Sequence, residues 1–160
     1  MRSYLLLFIV FHGLFITVSA QKKPPRKATQ AVVKQGICGV VRVKRGNYMP
    51  SPDSPQQNPS GTPVEREVLI FPLLNRSQVE AGEHGFINSV GDVKPVKVVR
   101  SRNDGTFCVS LPVGRYTVMV QEEKGLYANL SDSRNNLFPV NVQKNKSITV
   151  TIDITHQAVF

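Results

Sequence analysis

The chain has 160 residues, 41% hydrophobic and 19% charged, and its 20 Lys and Arg against 11 Asp and Glu give a net charge of +9 at pH 7. That length suits one domain around one core and leaves no room for a catalytic domain beside a second module. The basic balance does not imply nucleic acid, because no recognition motif accompanies it.

In chain order, residues 1–20 ("MRSYLLLFIVFHGLFITVSA") set Arg2 before an apolar run from Tyr4 to Val18, with Val18 and Ala20 where a signal peptidase reads. This is the layout of a cleavable secretory signal, too short and too interrupted (His12, Gly13) for a retained span. The expected location is therefore periplasmic or secreted. Residues 21–35 begin "QKKPPRK", where Lys22, Lys23, Arg26 and Lys27 crowd together without an apolar residue. The segment reads as a basic, disordered arm, either simply solvated or in electrostatic contact with an anionic surface. No later stretch is apolar enough to span a bilayer.

From residue 36 onward, period-two patterns dominate and no amphipathic helix appears. "GICGVVRVK" (36–44) puts Ile37, Gly39, Val41 and Val43 on one face, and Cys38, Val40 and Arg42 on the other. Residues 45–63 hold five of the eleven prolines and read as a long exposed loop. "EREVLIFPLL" (65–74) alternates Val68 and Ile70 with Leu69 and Phe71, so both faces are expected to be covered. A loop over 75–91, with room for one helical turn, leads to a weaker strand at 93–99 whose proline suits an edge or a start.

"NDGTFCVSLPVGRYTVMV" (103–120) accounts for itself structurally. Asn103, Asp104 and Gly105 make a turn, and Phe107, Val109 and Leu111 share one face. Pro112 and Gly114 then turn the chain, and Tyr116, Val118 and Val120 resume the alternation. A polar loop follows over 122–137, then a short strand at 138–143. The cleanest strand is 147–154, where Ile148, Val150, Ile152 and Ile154 alternate with polar residues. About seven short strands with Gly- and Pro-marked turns predict an all-β, antiparallel-rich sandwich.

Residues for chemistry are sparse. His84 and His156 lack metal-ligand spacing, and neither a nucleophile elbow nor a phosphate-cradling glycine loop occurs. Neighbours in sequence, Glu122 and Glu123 would point to opposite faces of a strand and read as solvated. In "NLSDSRNN", Asp132 is the single carboxylate among Asn129, Ser131, Asn135 and Asn136, too little for a good calcium site. No catalytic residue, metal or cofactor is expected. Sugar binding would use an aromatic platform beside hydrogen-bonding groups, for which Tyr48 and Tyr127 are the loop candidates, with Asn129 and Asp132 near the second; the reading preferred to it packs both tyrosines over the ends of the sandwich. Two cysteines, Cys38 and Cys108, lack a C-x-x-C spacing and so carry no redox or zinc signature.

Gly39, Val41, Asp104, Gly105, Phe107, Leu111, Pro112, Gly114 and Tyr116 together resemble the pattern of the carboxypeptidase regulatory-like domain, a transthyretin-like sandwich of about seven strands. The resemblance spans most of 36–160 and is similar to small exported bacterial proteins built on one such domain. It implies a fold but little about activity, since this sandwich serves as spacer, folding aid or binding module. Zinc carboxypeptidase activity is not implied. The ending "HQAVF" departs from the Tyr-Arg-Gly-Ser ending of the transthyretin-like hydroxyisourate hydrolases. In such sandwiches the first strand lies beside the strand after Asp-Gly, so Cys38 and Cys108 would pair if the register brings their Cα atoms within about 4.4–6.8 Å; out of register, they would stay free thiols. The expected role is a non-catalytic exported module that meets a protein or envelope component. The alternative is a carbohydrate-binding module using its end loops for a polysaccharide, and a small hydrolase ranks below both.

Overall fold

The computed structural model describes residues 33–50 and 58–160. The leader over 1–20, the basic cluster of the arm and the middle of the proline-rich loop lie outside the described residues.

The protein is all-β, with two sheets packed as a sandwich. Strand β1 (Gly36–Asn47) is the middle of the first sheet. Along one edge it pairs antiparallel with β2 (Thr62–Pro63) and β7 (Thr106–Ser110); along the other it runs parallel to β11 (Ser147–Val159). The second sheet is centred on β8 (Gly114–Glu122), flanked on one side by β3 (Glu67–Pro72) and edge strand β6 (Lys97–Arg100). On its other side β8 pairs first with β10 (Pro139–Val142) and then with β9 (Gly125–Tyr127), which leads on to β5 (Phe86–Ser89) and β4 (Glu80–Ala81).

All seven expected strands are present, and the expected loops contain more. Within 75–91 are a single 3-10 turn (Arg76–Gln78), β4 and β5, and within 122–137 is β9. These pieces are two to four residues long, too short for a periodic signal.

The core follows the alternation. Ile37, Val41, Phe107, Val109, Leu111, Ile152 and Ile154 of the first sheet are buried, as are Val68, Ile70, Val118, Val120 and Val142 of the second. Full burial of each such side chain stabilises by roughly 1.5–3 kcal/mol. The outer face of β8 is covered too, as Phe71 and Met119 show. There Thr117 accepts a hydrogen bond from Leu74 N–H at 2.9 Å and donates to Leu137 O at 2.7 Å, holding two loops on that face.

The motif residues do the framework tasks assigned to them. Asp104 Oδ1 accepts from both the backbone N–H and the hydroxyl of Thr106, closing the turn into β7. Gly105 has φ +74°, and a Cβ there would meet Val41 O at 2.4 Å. The close approach lets Val41 N–H bond Gly105 O at 2.9 Å, so the turn is tied directly to β1. Gly39 sits opposite Phe107, whose ring occupies the space a side chain would need. Tyr116 donates its hydroxyl to Pro112 O at 3.1 Å and so locks the corner that Gly114 completes.

Cys38 and Cys108 are directly opposed in the antiparallel β1–β7 pair and form a disulfide. Their Cα atoms are 4.0 Å apart, nearer than the expected window because the residues face each other squarely across the two strands. The bond spans 70 positions, and closing so long a loop restricts the unfolded chain. A Cys38→Ala, Cys108→Ala double variant is expected to lose about 2–4 kcal/mol of unfolding free energy in urea titrations, with unchanged far-ultraviolet circular dichroism in the absence of urea.

Candidate functional site

The site grows from an irregularity in β11. Val43 of β1 faces Ile154, but Arg45 faces Gln157, so β11 carries one extra residue over the interval. Such a bulge re-aims side chains. Here it lets two successive residues, Thr155 and His156, both reach the second sheet. Thr155 N–H donates to Tyr127 Oη at 3.0 Å, and the two hydroxyls share a hydrogen bond at 3.0 Å. His156 lies against Phe86 and Tyr127, with ring centroids 4.9 and 5.5 Å away.

Behind His156 is Glu122, at 3.3 Å from Nε2 to Oε2. Its other oxygen accepts from Arg66 Nε at 2.5 Å. Glu122 is only 9% exposed, which corrects the expectation of a solvated carboxylate. The reason is positional: Glu122 continues the inward series Tyr116, Val118, Val120, so the strand carries it into the sandwich. Arg66, one pleat before Val68 on neighbouring β3, supplies the opposite charge that burial demands.

In front of this cluster is a groove of about 390 Å3, lined among others by Arg76, His84, Asn129, Ser131, His156 and Phe160. Its volume falls in the range of small-ligand sites. Phe160 stacks on Tyr48 with centroids 5.3 Å apart, and Lys44 Nζ approaches the same ring at 5.9 Å. Lys44 also pairs with Asp153 at 3.0 Å.

The sequence candidates therefore divide. Tyr48 stands at the lip, half-buried and stacked on Phe160. Tyr127 lines the groove but is 1% exposed, so it is a core residue of β9 and not an exposed platform; the aromatic surface is Phe160, 67% exposed. Asn129 lines the groove and fastens its loop to β11, donating Nδ2 to Asp153 O at 3.0 Å and Thr155 Oγ1 at 3.1 Å. Asp132 organises its own loop: Oδ1 accepts from Arg134 N–H and Asn136 N–H, and Oδ2 from Asn136 Nδ2, each at 2.9 Å. These bonds, the Asn136 side chain foremost, hold the Asp132 carboxyl below its ordinary pKa of 3.8. Among the described residues no three or more His, Cys, Asp or Glu side chains gather closely enough to hold a metal ion. The chain matches no protein-family model and no curated protein.

Arg66, Phe86, Thr155, His156 and Phe160 were not anticipated. The alternation through β8 could have placed Glu122 inside; nothing local announces the bulge. Two outcomes test this account. Glu122→Gln is expected to lower stability by about 1–2 kcal/mol in urea titrations, a loss softened because the Arg66 side chain is 30% exposed. Because folding depresses its pKa, ionised Asp132 stabilises fully above the ordinary 3.8 and stops doing so as pH falls through the lower folded value. Asp132→Ala should thus melt earlier than the parent at neutral pH, with the gap between their melting temperatures closing in acid.

Proposed function

We propose that the chain is an exported, non-catalytic sandwich module of the carboxypeptidase regulatory-like kind, which meets a protein or cell-surface component through the end where β11 finishes. The observation that carries this reading is the groove. Its floor is fixed by hydrogen bonds among Tyr127, Asn129 and Thr155, while its lip exposes Phe160. Recognition favours a preformed surface of this type, because little order has to be imposed on binding. Export is supported by the leader pattern and by the Cys38–Cys108 disulfide, which persists in oxidising compartments. No helix of the described residues is long and apolar enough to cross a membrane.

A second reading, carbohydrate binding, is favoured by one observation: the stacked Tyr48 and Phe160 rings adjoin hydrogen-bonding side chains. Both readings use the same end of the molecule.

The test is capture from the host envelope fraction at low and high salt, with the parent and with Ser131→Trp, which fills the groove. Groove recognition predicts capture that survives high salt in the parent and is lost in the variant. Capture that is salt-sensitive and equal in both would assign contact to diffuse charge and overturn the reading, since exposed charges are screened beyond about 8 Å at physiological ionic strength.

A further inference from the structure

Building on the groove as a recognition surface, we propose that its ligand is an anionic saccharide: a uronic acid unit whose carboxylate is drawn to Arg76 and His84 and whose ring packs against the Tyr48–Phe160 pair.

The sign of the groove is the first reason. Arg76, His84 and His156 line it, and among the described residues no Asp or Glu does. Three nearby carboxylates are engaged elsewhere: Glu122 by Arg66 and His156, Asp132 by donors of its own loop and by Arg115, and Asp153 through one oxygen by Lys44. By contrast, the Arg76 guanidinium and the His84 imidazole form no hydrogen bond or ion pair with any described residue. An exposed acid finds charge-assisted donors there.

The balance of donors and acceptors narrows the class. With Nδ2 engaged by Asp153 and Thr155, Asn129 keeps Oδ1 as an acceptor without a protein partner. Ser131 Oγ is also without one. A phosphate or bare carboxylate can only accept, and would leave the Asn129 oxygen unmatched. A sugar hydroxyl both donates and accepts, so a ligand with hydroxyls and an acid on one ring fits the whole set. The lip supplies the remaining element: Phe160 is 67% exposed and held by Tyr48, and the positively polarised C–H face of a pyranose packs on such aromatic surface. An acidic peptide would meet the charges but make no use of the ring pair.

Titration calorimetry on the purified protein at physiological salt tests this with three probes: trigalacturonate, the neutral galactotriose of the same linkage, and hexa-aspartate. Trigalacturonate is expected to bind saturably and about fivefold tighter than the neutral sugar, since the exposed Arg76 ion pair is worth up to roughly fivefold. The Arg76→Ala, His84→Ala double variant should erase that preference, and Phe160→Ala should weaken both sugars alike. Thermal melts establish that each variant is folded. Equal binding of acidic and neutral sugar, equal binding of hexa-aspartate, or no binding of trigalacturonate would each overturn the proposal. If trigalacturonate fails while groove-dependent envelope capture persists, only the ligand class is wrong; if both fail, the recognition reading falls with it.

Discussion

Strand β1 is gripped on both edges, and most of the architecture is placed by that grip. Its first half is bonded through disulfide and ladder to β7, while its whole length lies against β11. Gly39 makes the arrangement compact, because the missing side chain leaves room for Phe107 to lie across the strand into the core. Gly105 then brings the preceding turn within bonding distance of Val41. Two residues without side chains thus set how closely three strands approach, and the apolar alternation of each fills the space between the sheets.

The second sheet answers with β8, buried on both faces. A strand so enclosed must satisfy every polar group it carries, and it does so in two ways. Thr117 bonds the backbone of two loops on the outside, and Glu122 is neutralised by Arg66 on the inside. The same demand for satisfaction orders the groove, where Asn129 and Tyr127 converge on Thr155. Rigidity at the site is therefore a by-product of burying polar side chains near the end of the sandwich.

The framework was legible in the sequence because its signals are local and periodic: Phe107, Val109 and Leu111 declare their face within five residues. The groove was only half legible. Asn129 and Tyr48 were found because they sit in polar stretches between strands. For Tyr127 the sequence left two readings open, platform or packed ring; burial at 1% exposure decides for packing, and the three-residue strand that carries it is too short for a periodic signal. Glu122 was misread beside Glu123 and Lys124, its partner Arg66 being 56 positions away. His156 was beyond reach because alternation ends at Ile154, and a bulge is defined by a partner strand and not by the residues that form it.

Parallel pairing of the first and last strands gives the molecule a polarity. Gly36 faces Ser147 at one pole, whereas Thr155, His156 and Phe160 stand at the other. The twelve residues of β1 cover about 40 Å between them. Whatever precedes Gly36 is thus joined at the pole remote from the groove.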